Sequence, residues 1–201
     1  GEQVHLMLNG SIESGTGTAL TPHISQFRVA AGGGDQFLLG AVQTLGTGAS
    51  FDIGIGDLNG DGDLDAFVTN NGAGNTIWIN DGTGSFTDTG QSLGTAKSLT
   101  VELGDLNGDG DLDAFIGNDD GPNAVWLGDG RGQFVSNGQT TLGNDRSFGV
   151  GLGDLDGDGD LDAFVSNNGT ADKVWTNDGS GTFSDSGQTL GNAGSRHLAL
   201  G

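Results

Sequence analysis

The sequence predicts an all-β repeat protein, on three observations. It has a period of 48 or 49 residues, a two-residue apolar alternation within each period, and glycine-rich turns between the alternating segments. One segment carries the period most plainly. Asp57-Leu58-Asn59-Gly60-Asp61-Gly62-Asp63-Leu64-Asp65-Ala66-Phe67 recurs from Asp105 to Phe115 and from Asp154 to Phe164. Trp78, Trp126 and Trp175 hold equivalent positions, as do Phe86, Phe134 and Phe183.

The 201 residues read as a single repeat domain. Its units are 1–50, 51–98, 99–147 and 148–196, and residues 197–201 form the first strand of a further one. The opening unit is degenerate. Gln43-Thr44-Leu45-Gly46 closes it as Gln188-Thr189-Leu190-Gly191 closes the last, and His5-Leu6-Met7-Leu8 begins it as His197-Leu198-Ala199-Leu200 begins the fifth. In place of the acidic loop it carries Asn9-Gly10-Ser11-Ile12-Glu13-Ser14-Gly15.

Each unit is read as four strands. Phe51, Ile53 and Ile55 alternate with other residues, as do Leu99, Val101 and Leu103, and Phe148, Val150 and Leu152; this period of two marks a first strand. After the acidic turn, Ala66 to Thr69 forms a second strand. Asn70-Asn71-Gly72 is a turn, and Thr76 to Ile79 a third strand containing the Trp. Asn80 to Gly84, Gly128 to Gly132 and Asn177 to Gly181 are hairpin signals, with a fourth strand beginning near Phe86. No stretch shows apolar residues at helical spacing. Four hairpin-joined strands per repeat predict β-propeller-type antiparallel blades, in a closed small ring or in part of a larger propeller. The rival β-helix has shorter coils and no internal hairpins. The Trp and Phe of each unit are expected to stack it on the next.

Charge narrows the function. Twenty-seven acids against six bases give −21 and a pI near 4.1, a surface that repels phosphate backbones and anionic lipid and so excludes nucleic acid as a partner. No run of about 18 apolar residues exists to insert in a membrane as a helix. Cysteine is absent, so neither disulfides nor thiolate metal sites staple this chain, in which 42 residues are glycine. Two prolines and no Gly-x-y period exclude collagen. The chain opens on Gly-Glu-Gln, without a basic, apolar leader, and is read as one whose signal peptide has been removed.

The acidic loops supply the missing staple. Calcium takes six to eight oxygens from a flexible loop. Asp57, Asn59 and Asp61 offer side-chain oxygens at positions one, three and five, and Gly62 at position six permits the sharp turn. Asp63 at position seven is expected to give its backbone carbonyl, and Asp65 at position nine to close the cage. The equivalents are Asp105, Asn107, Asp109, Asp111 and Asp113, then Asp154, Asp156, Asp158, Asp160 and Asp162. Three Ca2+ per chain follow, with none in the opening unit. Position twelve is Val68, Ile116 or Val165 and no helices flank the loops, so these are not EF-hands. They also lack the Gly-Gly-x-Gly-x-Asp pattern of calcium β-rolls. Magnesium suits so dense an oxygen cage less well. Asp and Asn favour turns in general, but three copies in register, holding thirteen of the 27 acids, point to cation binding over a halophilic surface.

The Asp57 to Asp65 spacing followed by Ala66-Phe67-Val68 resembles the FG-GAP/VCBS repeats of integrin α-subunit propellers and bacterial surface proteins, and calcium-bearing propeller lectins of fungi are similar. The resemblance covers residues 51–191 well and 1–50 weakly. It implies calcium-binding propeller blades in a secreted or cell-surface protein. Family propellers usually have seven blades where this chain has about four.

No catalytic constellation is apparent, and no enzymatic activity is expected. His5 and His197 are repeat equivalents, His23 stands alone, and the serines form no nucleophile elbow. Carboxylates that bind calcium are ligands, not proton donors. The expected function is a calcium-stabilised structural or adhesive scaffold, partnered by surface proteins or glycans. The alternative is a calcium-dependent lectin using loops such as Asn70 to Asn75, Asn118 to Asn123 or Asn167 to Asp172. Asn9 and Asn168 begin glycosylation sequons. Glu102, where the other units have Gly54 and Gly151, is expected at a wet inner edge, opposite Val101 and Leu103. The unpaired strand at 197–200 calls for self-association or continuation into further repeats.

Overall fold

A computed structural model of the chain describes residues 45–46, 48–191 and 194–195. The expectations for Asn9, Glu13, the three histidines and the strand at 197–200 lie outside the described residues.

Among the described residues the chain forms three four-stranded antiparallel sheets and no helix. The first is β1 (Ser50–Gly56), β2 (Asp65–Asn70), β3 (Thr76–Asn80) and β4 (Phe86–Asp88). The second is β5 (Ser98–Gly104), β6 (Asp113–Asn118), β7 (Ala124–Gly128) and β8 (Phe134–Ser136). The third is β9 (Ser147–Gly153), β10 (Asp162–Asn167), β11 (Asp172–Asn177) and β12 (Phe183–Leu190). Each sheet pairs its strands in sequence order, the meander of a propeller-type blade. Consecutive sheets stack through their first strands, β1 against β5 and β5 against β9, in an open series.

Side-chain parity divides each sheet into two faces. Phe67 and Ile77 of the first sheet meet Val101, Ala114, Ile116, Trp126 and Phe134 of the second in one core. Phe115 and Val125 of the second meet Val150, Ala163, Val165, Trp175 and Phe183 of the third in another. The aromatics interlock edge to face, Phe67 on Phe134 with centroids 5.3 Å apart and Phe115 on Phe183 at 5.1 Å. The Trp and the fourth-strand Phe therefore face the preceding sheet, and the second-strand Phe faces the following one. Gly54 is small because β5 comes close: a Cβ there would lie 2.9 Å from Leu103 Cγ.

The segments between sheets add side-chain clamps. Gln91 accepts from Phe134 N (2.8 Å) and donates to Gly132 O (2.7 Å), gripping the outer strand of the next sheet. Gln139 repeats the grip, accepting from Phe183 N (3.0 Å) and donating to Phe183 O. Leu93 and Leu142 plug the cores beside these clamps, whereas their equivalent Leu190 is exposed. Apart from Val135 on β8 of the middle sheet, the exposed large apolar side chains lie on the first and last sheets: Phe51, Ile55 and Leu64 on one, Leu155 and Leu190 on the other. Glu102 is exposed on β5 beside buried Val101, as the alternation implies.

Candidate metal centre

Each acidic loop joins the first strand of a sheet to the second. The position-one carboxylate organises it. Asp57 accepts from Gly60 N (2.8 Å), Asp61 N (3.2 Å) and Gly62 N (2.9 Å), folding the loop around its own side chain. Asp105 and Asp154 do the same with Gly108 and Gly110, and with Gly157 and Gly159. Position six requires left-handed backbone, φ +89° at Gly62 and +91° at Gly110, which glycine alone adopts without strain. Desolvation is the largest single influence on Asp57 and opposes its ionisation, but the N–H groups of Gly62, Gly60, Asn59 and Asp61 together outweigh it and hold its pKa below the usual carboxylate range.

Positions three and five continue the turn. Asn59 Oδ1 accepts from Asp61 N (3.1 Å) and Asp61 Oδ1 from Asp63 N (2.9 Å); Asn107 and Asp109, then Asp156 and Asp158, repeat the arrangement. Position seven turns its side chain away from this chain of acceptors. The carboxylates of Asp63, Asp111 and Asp160 lie against Gly82, Gly130 and Gly179 of the neighbouring hairpins, where any added Cβ would overlap them. That orientation fits an expected ligand role through the backbone carbonyl.

Position nine is the buried member. Asp65 accepts from Leu58 N (2.9 Å) and Asn80 N (2.8 Å), and so ties the loop to the end of β3. Asp113 takes Leu106 N and Gly128 N (2.8 Å each), and Asp162 takes Leu155 N and Asn177 N (2.9 Å each). Burial raises the pKa of Asp65 and pushes that of Asp113 up to about 6, against the pull of those N–H groups and with help from neighbouring carboxylates. The cross-linking role of this residue is not visible in the loop's spacing, because its second donor is fifteen residues away.

The donor set suits a hard cation. In the third loop Asp154, Asp156 and Asp162 bring carboxylate oxygens within 4.8 Å of one another, a group that could hold a metal ion. Asp156 has a raised pKa, from desolvation first and then from facing Asp158, Asp162 and Asp154. The first two loops present the same scaffold with an amide at position three.

In the loops named for the lectin alternative, the buried asparagines bond within their own turns. Asn75 Oδ1 accepts from Asn70 N (3.0 Å) and Asn123 Oδ1 from Asn118 N (3.0 Å), while Asn70, Asn118 and Asn167 donate within their own turns. These asparagines are buried turn-closers.

Blades of this topology bearing an Asp-rich loop between first and second strands define a repeat scaffold of propeller type. The sequence matches the FG-GAP-like repeat family at residues 57–116, 105–165 and 154–201, and the chain belongs to that family. Comparison with curated proteins finds no match.

Proposed function

We propose that the chain is a calcium-stabilised, non-catalytic scaffold module of a secreted or cell-surface protein, serving structure or adhesion, with one Ca2+ in each of its three acidic loops. The observation that carries this reading is the repeated construction of the loops: a position-one carboxylate wrapped by backbone N–H groups and a buried position-nine carboxylate, at the same point of every sheet. Membership of the FG-GAP-like family and the carboxylate group at Asp154, Asp156 and Asp162 support it. Each ion would offset the mutual repulsion of four or five carboxylates in a chain that has no disulfide. Binding to the folded state alone stabilises by about 2.7 kcal/mol per site at a hundredfold excess over Kd. Thermal melting in calcium and in chelator tests this: the melting temperature falls in chelator, and coincident curves would refute the proposal.

A second reading, a calcium-dependent lectin, draws on one cavity of about 460 Å3 between β11 and β12 of the third sheet and the segment 141–145 that leads into that sheet. Asp145, Trp175 and the Lys173–Asp185 ion pair (3.0 Å) line it. A glycan array run with and without calcium separates the two readings.

A further inference from the structure

The three loops differ at one ligand position, and the difference lies in the hydrogen bonding as well as in the sequence. At position three the first two loops carry Asn59 and Asn107. Each amide donates to the carboxylate at position five: Asn59 Nδ2 to Asp61 Oδ2 (2.8 Å), Asn107 Nδ2 to Asp109 Oδ2 (2.9 Å). The amide thus does two things. It gives a cation one neutral oxygen, and it occupies one oxygen of the next ligand. Asp156 in the third loop has no side-chain N–H to donate, so Asp158 Oδ2 receives no bond from position three, and the carboxylates of Asp154, Asp156 and Asp162 converge.

We infer that position three grades the three sites, and that Asp156 makes the third loop the tightest divalent-cation site of the chain. This rests on the calcium reading of the loops. A carboxylate in place of a carboxamide adds a full unit of negative charge at contact distance from a doubly charged ion, and ligand charge count, with site rigidity, tunes calcium affinity in oxygen cages. The third loop lacks one advantage of the others. Leu58 and Leu106, at position two, are seated in the cores formed with the following sheet, whereas Leu155 is 41% exposed. That seat bears on the rigidity of the loop and leaves its charge unchanged. The extra carboxylate acts directly on the ion. Half-saturating calcium then fills the third loop ahead of the other two.

The test is calorimetric calcium titration of the full chain beside Asp156→Asn and Asn107→Asp, with far-ultraviolet circular dichroism to confirm folding. The wild-type chain should show one tight step followed by two weaker ones. Asp156→Asn, which installs the side chain already present in the other loops, should weaken the tight step at least tenfold and leave the stoichiometry at three. Asn107→Asp should create a second tight step, and so tests the inference even if the first variant misfolds. Wild-type loops of equal affinity, or a tight step that survives Asp156→Asn, would overturn the grading while leaving the calcium reading intact. Absence of calcium uptake in all three proteins would overturn both.

Discussion

Asn177, at the end of β11, donates its side-chain amide to the carbonyl of Leu106 in the acidic loop of the preceding sheet, at 2.8 Å. Gly132 N makes the corresponding bond to Leu58 O at 2.7 Å. The first two loops are thereby tied to the hairpins of the sheets that follow them, and their position-two leucines enter the cores between. In the first two units the acidic loop and the blade seam are one structure.

Leu106→Ala should therefore weaken the seam as well as the loop. A fully buried Leu cut back to Ala costs about 2–5 kcal/mol. Leu155→Ala, at the equivalent but exposed position, should cost well under half as much. Urea unfolding of the two variants gives the comparison, and equal losses would contradict the seating.

Gln139→Ala removes both bonds to the backbone of Phe183 and leaves a strand end unsatisfied, a loss of about 1–3 kcal/mol. Gln188→Ala, at the exposed equivalent, should stay within about 0.5 kcal/mol of wild type. Chemical denaturation distinguishes a clamp from an ordinary surface glutamine.

Gly110→Ala isolates backbone strain. Its φ is +91° and a Cβ there would meet nothing within 4 Å, so only conformation opposes the change. The expected loss is about 1–2 kcal/mol, read as a lower melting temperature.

Strand alternation, hairpin positions and the acidic loops were legible in the sequence because each is a local pattern repeated in register. The direction in which the aromatics stack was not. Trp126 and Phe134 face backward and Phe115 forward, an outcome of parity across the seam that no single unit displays. The second role of Asp65 and Asp113, binding backbone across the sheet, was hidden for the same reason. A clue to the clamps did exist in the recurrence of Gln91, Gln139 and Gln188 at one offset, although their targets lie more than forty residues away.

The metal-free chain should respond to pH in an unusual sense. The Asp113 carboxyl is raised from 3.8 to about 6 on folding, so the native state binds more protons than the unfolded chain between those values. Its contribution makes stability greatest below about 4 and diminishes it as pH rises towards 6, by about 3 kcal/mol in full. Asp65 acts in the same direction. In chelator the melting temperature should rise as pH is lowered from 7 to 5, and Asp113→Asn should flatten the slope. In calcium the order reverses, since the ion requires ionised ligands.

Elemental analysis of the chain after gel filtration in calcium tests the central claim most directly. Three equivalents of calcium per chain are expected, falling to two in Asp105→Ala, which removes the carboxylate around which the second loop folds. A value near zero in millimolar calcium would contradict the account and leave the three loops as turns built from hydrogen bonds alone.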